Sequence, residues 1–275
     1  MNRGYVLAAV LSSLLLQPVL GHAATVSIDV NADAFLAAGS AANPVCTDCS
    51  NLNFGAAGTL AVSGAGSLKG QFDSVANWNT TSAVSQFNTA FGAGNWHITD
   101  ISLNLASNFG DQGEQPNNGI FNTINTGQFN VQWISNNSWI EGTGAGMGGP
   151  PGSPPSVTFG NRNTTIFPTG TNTAAVGTFT YTPPGDNVVQ TYHLTLNPNL
   201  VNSVTGGGLT SLYFTAADDQ IGYLFNSKTF GTNHPFFVVS AEVGAVPIPA
   251  AVYLFGTGVV GLVGLARRNT FRATT

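Results

Sequence analysis

Two closely spaced cysteines are the first residues of this sequence whose types suggest chemistry. Cys46 and Cys49 stand in the segment PVCTDCSN, and the chain contains no other cysteine. In an oxidising compartment such a pair forms a small disulfide loop. Half of a zinc site and a redox-active pair are the alternatives. Because no His pair at ligand spacing and no thioredoxin-like βαβ pattern accompany the cysteines, we predict the disulfide.

Carboxylates in turn-like segments form a second group of candidates. Asp111 and Glu114 lie in FGDQGEQ, and Asp218 and Asp219 lie in TAADDQIGY. Carboxylate oxygens suit Ca²⁺, and two carboxylates across a cleft can serve a glycosidase. Adjacent strand residues point to opposite faces, which argues against direct cooperation between Asp218 and Asp219. Solvated turn acids are the simplest interpretation; Asp111 and Asp218 are the candidate Ca²⁺ ligands, and no other cofactor is predicted.

Tryptophan rings are the third group, because they can stack on the apolar faces of sugars. Trp133 and Trp139 differ by an even number, so they would share a face on one uninterrupted strand. The segment SNNS between them predicts a turn, which would interrupt the strand and its alternation of faces. We name both as candidate ligand-stacking residues, with packing in the core as the alternative role.

Motifs for catalysis are absent from the sequence. His97, His193 and His234 are far apart, and no H-E-x-x-H, G-x-S-x-G or P-loop motif occurs. Catalytic groups can still converge from distant segments. We predict a protein that is not an enzyme.

The elements that must position these residues have the pattern of β-strands. Alternating apolar residues favour strands, and Gly- and Pro-rich clusters such as GTGAGMGGPPGSPPS favour turns between them. Two brief helical patterns, SAVSQFNTAFG and NPNLVNSVTGG, interrupt the strands. We therefore predict an all-β body, a two-sheet sandwich or jelly roll with one or two short helices. The predicted strands are TVSIDV, WHITDISLNL, GQFNVQWI, VGTFTYT, VVQTYHLTL, LTSLYFTA and PFFVVSA.

Charge is scarce and unevenly placed. Charged residues make up 7% of the chain, against about 25% in typical soluble domains. Residues 24–245 hold three basic and all twelve acidic residues, a formal charge of -9. A body of this charge repels polyphosphate and offers no basic stripe, so we predict no binding of nucleic acid.

The N-terminal segment has the pattern of a secretory signal helix. One positive charge precedes an apolar stretch from Tyr5 to Leu16, which Pro18 and small residues follow. We predict cleavage after Ala23; the alternative is a buried N-terminal helix.

The C-terminal segment predicts a membrane-spanning helix. Residues 250–266 carry no charge and as a helix would extend about 25 Å, close to the roughly 30 Å of a bilayer core. Its four glycines, which are tolerated in lipid, can allow close helix packing. Arg267 and Arg268 predict a cytoplasmic end. A last buried helix of the body is the alternative. The glycines are Gly256, Gly258, Gly261 and Gly264.

The same segment resembles the PEP-CTERM protein-sorting signal of Gram-negative bacteria. A Pro-containing motif, an apolar helix and a basic end follow one another over about 23 residues, with Ile248 where the name-giving tripeptide has Glu. The resemblance implies recognition by an inner-membrane exosortase, cleavage near residues 247–249, a transient membrane anchor, and delivery to the cell surface or extracellular polysaccharide matrix. The motif residues are Val246, Pro247, Ile248, Pro249, Ala250 and Ala251.

The body is similar to a DNRLRE-type sandwich, a family whose relatives include carbohydrate-binding modules. The likeness covers about 67–243 and departs from many members in lacking Thr-Trp after EGTG. It implies surface adhesion or contact with polysaccharide, and no binding residue is transferred. The segments that carry it are GQFD, ITDISLNL, VQWISNNSWIEGTG, LNPNLVNSVTGGGLTSLYFTA and FNSKTFGTNHPFFVVSA.

These patterns divide the chain into four predicted regions. Residues 1–23 are the predicted signal peptide, 24–66 an N-terminal β segment with the Cys loop packed on the sandwich, 67–245 the sandwich, and 246–275 the sorting signal. The leading hypothesis is an exported surface or matrix protein that contacts polysaccharide or neighbouring cells. A carbohydrate-active enzyme and a structural assembly subunit are the alternatives.

Overall fold

The computed structural model of the chain describes residues 23–40, 47–109, 121–122, 126–146 and 148–244. These residues form ten strands and three short helices. The strands are β1 (Ala23–Ala37), β2 (Thr59–Ser63), β3 (Phe72–Asn79), β4 (Trp96–Ala106), β5 (Gly127–Ile134), β6 (Thr173–Tyr181), β7 (Val189–His193), β8 (Leu209–Ala216), β9 (Gly222–Asn226) and β10 (Phe236–Val243). The helices are α1 (Thr81–Phe91), α2 (Arg162–Thr165) and α3 (Pro198–Gly206).

All strand pairs are antiparallel, and the sheet nearly closes on itself. The strand order is β6-β5-β8-β3-β1-β10-β4-β7, and β2 pairs with both β3 and β9. At the gap between the two end strands, the N–H of Thr195, just after β7, donates to the carbonyl of Val176 in β6 at 2.7 Å. The predicted all-β class with short helices is confirmed, and the described residues form three helices where one or two were predicted.

Strand β1 joins the part of the sheet that contains β10 to the part that contains β3. Its first half pairs with β10 and its second half with β3, and the register shifts between Val30 and Ala32. A bulge of this kind bends a strand and lets it pass from one sheet direction to another. The first half alternates exposed and buried residues, whereas residues 33–37 are all buried.

The main core lies inside the curved sheet. Trp78 of β3 stacks on Phe237 of β10 with 4.0 Å between ring centroids. Phe129 of β5 meets Tyr192 of β7 edge-on at 5.3 Å. These strands are not paired with each other in the sheet, so the aromatic contacts join strands that share no backbone hydrogen bonds.

Two helices cover this core where the sequence predicts them. Helix α1 buries Ala83 and Phe87. Helix α3 buries Leu200 and Val204, and the side chain of Asn197 caps it by accepting the N–H of Asn199 at 2.9 Å. Both helical predictions are confirmed.

Several predictions fall on residues that the structure does not describe. They are the signal helix before Ala23, the sorting motif and spanning helix from 246 onward, Cys46 and Asp111. In the described part of the chain, none of the helices has the length and apolar character needed to cross a membrane.

Candidate functional site

A pocket of about 240 Å³ opens where the turns after β2 and β8 meet. Residues 63–65, Gln71, Asp73 and residues 215–219 line it. Six of these ten residues carry polar side chains, three of them carboxylates, and none is basic. We take this acidic pocket as the candidate site.

The sequence builds the pocket through close backbone packing. Strand β2 ends at Ser63, which pairs with Phe72 at the start of β3 and with Gly222 at the start of β9. The next residue, Gly64, lies so near the following turn that an added Cβ would stand 2.1 Å from the carbonyl oxygen of Asp219. Only glycine fits there, so the turn after β8 can lie directly against the end of β2.

Asp73 is the buried carboxylate of the pocket, with 3% of its surface exposed. The hydroxyl of Tyr213 donates to its Oδ2 at 2.7 Å, and the amide of Gln71 donates to Oδ1 and Oδ2 at 3.2 and 3.3 Å. Burial raises the pKa of Asp73, while the bonds from Tyr213 and Gln71 and the charge of Arg162 oppose that rise. Burial and the charge of Asp73 raise the pKa of Tyr213, which keeps this hydroxyl a donor.

Asp218 and Asp219 form the exposed rim of the pocket. Asp218 Oδ2 accepts the N–H of Gln128 at 2.6 Å, and Asp219 Oδ1 accepts the N–H of Gly66 at 2.9 Å. Each carboxylate is thus held by the backbone of a different segment, which spreads the negative charge along the rim.

Both rim carboxylates line the pocket, although adjacent residues of a strand would point to opposite faces. Strand β8 ends at Ala216, so Asp218 and Asp219 lie in the turn that follows, where residues do not alternate between faces. Asp73 was not among the predicted site residues and was named only as the last residue of the segment GQFD. No pattern in the sequence marks it, because its strand does not alternate between apolar and polar residues, and seven of the eight residues of that strand are buried.

Of the two candidate Ca²⁺ ligands, Asp218 lines the pocket and Asp111 lies outside the described residues. Over the ranges that the structure describes, no group of three His, Cys, Asp or Glu side chains could hold a metal ion. Calcium binding stays a prediction.

The candidate stacking residues Trp133 and Trp139 are both buried, with 8% and 7% of their surfaces exposed. Trp133 packs in the main core. Trp139 belongs to a separate cluster, where its indole N–H donates to the hydroxyl of Ser211 at 3.1 Å. The structure does not bring the two rings together, and neither offers a face to a ligand in solution.

Cys49 is buried and disulfide-bonded. It packs in a third cluster with Phe35 and Phe54. Cys46 lies outside the described residues, so its pairing with Cys49 stays a prediction.

A second charged cluster lies away from the pocket and contains Asp33, Glu141 and Lys228. Asp33 is 1% exposed; its Oδ2 accepts the N–H of Lys228 at 2.7 Å, and its own N–H donates to Glu141 Oε1 at 3.0 Å. The ammonium of Lys228 donates to Glu141 Oε2 at 2.5 Å and to the carbonyl of Asn31 at 3.2 Å. Burial raises the pKa of Asp33 to about 7, the charge of Glu141 adds to that rise, and the backbone bond and charge of Lys228 oppose it.

Fold and site together define an antiparallel all-β protein with an acidic surface pocket. No protein-family model matches the chain, and comparison with curated proteins finds no match.

Proposed function

We propose that the chain is an exported, non-enzymatic surface or matrix protein, sorted by an exosortase and contacting extracellular polysaccharide. The observation that carries this proposal is the ordered C-terminal motif, apolar run and Arg pair of residues 246–268, which resembles a PEP-CTERM signal. The finer assignment of the body to a two-sheet sandwich of the jelly-roll type belongs to the same proposal.

The position of this motif relative to the body supports the proposal. Strand β10 ends at Val243, three residues before the motif, and pairs with β1 on one side and β4 on the other. At the other end, β1 starts at Ala23, where we predict signal cleavage. Cleavage at both proposed sites would therefore leave every described strand essentially complete.

The two ends of the body lie side by side. Ala24 at the start of β1 pairs with Ala241 near the end of β10. The other end of β1, Ala37, pairs with Phe72, which stands between two residues of the acidic pocket. In a body held by its C-terminal segment, the pocket would therefore lie at the other end of β1 from the point of attachment.

A carbohydrate-active enzyme is the second candidate, because the pocket pairs a carboxyl of raised pKa, Asp73, with exposed carboxylates. Glycosidases divide the acid and nucleophile roles between two such groups. A structural assembly subunit is the third candidate. Three of the exposed large apolar residues, Val188, Val189 and Leu196, lie in or beside β7 at an end of the strand order, where added strands could pair.

Truncation tests the sorting role. We compare, in a Gram-negative host with an exosortase, the full chain and a variant that ends at Gly244. The full chain is expected at the cell surface or in the matrix, and the truncated variant in the soluble periplasmic fraction.

A double variant, Pro247→Ala with Pro249→Ala, is the matched control, because it keeps the apolar run and alters the motif. We expect it to stay uncleaved in the inner membrane. The same location for all three chains would overturn the proposed sorting.

A further inference from the structure

None of the residues that line the acidic pocket is basic. Within the described residues the ion pairs are His193 with Asp100 and Lys228 with Glu141, and neither involves a residue of the pocket. The charge of Arg162 acts on Asp73, yet the guanidinium forms no ion pair with it. A carboxylate that is 97% buried in this way gains from any cation that enters the pocket beside it.

The free hydrogen-bonding groups of the pocket are mostly acceptors. Tyr213 and Gln71 already donate to Asp73, and one backbone N–H donates to each of Asp218 and Asp219. Within the described part of the chain, the second oxygens of Asp218 and Asp219 accept no hydrogen bond. A ligand that fits this pocket must therefore supply donors.

The dimensions of the pocket set the size of that ligand. Its volume of about 240 Å³ is below the roughly 300 Å³ at which pockets for drug-sized molecules begin. The pocket therefore has room for one small ring with its substituents. Because the carboxylates are spread from the floor at Asp73 to the rim at Asp218 and Asp219, the ligand must present donors at several positions.

We propose that this pocket binds a sugar residue with a free amino group, as part of a polysaccharide whose charge is neutral to positive. The ammonium group places a cation among the three carboxylates, and the sugar hydroxyls supply the further donors. Hexuronate residues are rejected, because a carboxylate in this pocket would face three others and no basic lining residue. This inference rests on the proposed contact with polysaccharide and names its chemical class.

The test uses the full chain, purified in a non-ionic detergent, and calorimetric titration with three linear tetrasaccharides. Tetraglucosamine carries free amines, tetra-N-acetylglucosamine lacks their charge, and tetragalacturonate carries the opposite charge. We expect tetraglucosamine to bind at least about tenfold more tightly than the other two, and more weakly as salt rises.

The variant Asp218→Asn with Asp219→Asn removes the rim charge and keeps an oxygen for each backbone N–H. It is expected to weaken tetraglucosamine binding about tenfold or more. The matched control is Asp186→Asn, since Asp186 is also exposed and accepts one backbone N–H, from Phe109 at 2.9 Å, away from the pocket. Thermal unfolding of both variants verifies that they fold.

Equal binding of the three tetrasaccharides would overturn the inference, and so would unchanged affinity in the double variant or no binding of tetraglucosamine. Binding of tetragalacturonate or tetra-N-acetylglucosamine alone would overturn it while leaving the contact with polysaccharide intact. Shortened tetrasaccharides after incubation would overturn it in favour of the enzyme alternative. The sorting part of the proposed function is decided separately, by the location of the truncated chain.

Discussion

Replacing Asn53 by alanine is expected to lower the free energy of unfolding by about 4 kcal/mol. The side chain of Asn53 is fully buried and joins its own loop to the long connection between β5 and α2. Its amide donates to the carbonyls of Glu141 at 2.6 Å and Val157 at 2.9 Å, and its Oδ1 accepts the N–H groups of Gly55 and Gly144. Alanine removes all four bonds and leaves their backbone partners buried without replacements.

Urea unfolding measures this effect, with Asn202→Ala as the control. Asn202 is an exposed residue of α3, and alanine there changes stability by less than about 0.5 kcal/mol or raises it slightly. A second variant, Asn53→Asp, keeps the size of the side chain and places a carboxylate against two carbonyl oxygens. A loss of less than about 1 kcal/mol in Asn53→Ala would contradict the role of this side chain as the link between the loops.

Replacing Asp33 by asparagine is expected to stabilise the protein by about 2–4 kcal/mol at pH 8 and to change little at pH 4. The pKa of Asp33 is raised from 3.8 to about 7 by folding. Between these values the folded state binds more protons than the unfolded state, so this carboxyl makes stability fall as pH rises from about 4 to 7. Asparagine removes the buried charge and keeps an oxygen for the N–H of Lys228.

Urea unfolding of the unsubstituted protein and of the Asp33→Asn variant, at several pH values between 4 and 8, measures how the free energy of unfolding of each changes with pH. Asp29→Asn is the matched control, because Asp29 is an exposed residue of the same strand. We expect this control to follow the pH dependence of the unsubstituted protein. The role of Asp33 would be contradicted if the Asp33→Asn variant were less stable than the unsubstituted protein at pH 8. It would also be contradicted if the stability of the variant fell with pH as steeply as that of the unsubstituted protein.

The alternating strands and the helices α1 and α3 could be predicted from the sequence, because one face of each is buried and the other is exposed to solvent. Strand β5 is an example: the predicted segment GQFNVQWI coincides with residues 127–134. Helix α3 is another, because Pro198, the Asn197 cap and the spacing of Leu200 and Val204 all agree.

The strands β2, β3 and β9 were not predicted, because they do not alternate. Both faces of β3 are covered, so seven of its eight residues are buried. Its polar side chains form hydrogen bonds with residues of other strands. Ser74 bonds to Ala61, and Asn77 accepts the side-chain amide of Asn31. Such pairings depend on which strands become neighbours, and local periodicity does not carry that information.

The pocket could be predicted only in part for the same reason. The sequence indicates Asp218 as a turn carboxylate. The pairing of β3 with β8, between residues as far apart in sequence as Ser74 and Phe214, brings Asp73 into the same pocket. The tryptophans show the reverse case. Their type and spacing suggest stacking on a ligand, but Trp133 and Trp139 fill the interior, which needs large apolar side chains.

The most direct test of the proposed sorting is the intact mass of the protein recovered from the surface and matrix fractions of cells that express the full chain. Processing at both ends predicts a body that starts at Ala24 and ends near residues 247–249. A chain that retains its C-terminal segment through Thr275 and stays in the inner membrane would contradict exosortase sorting.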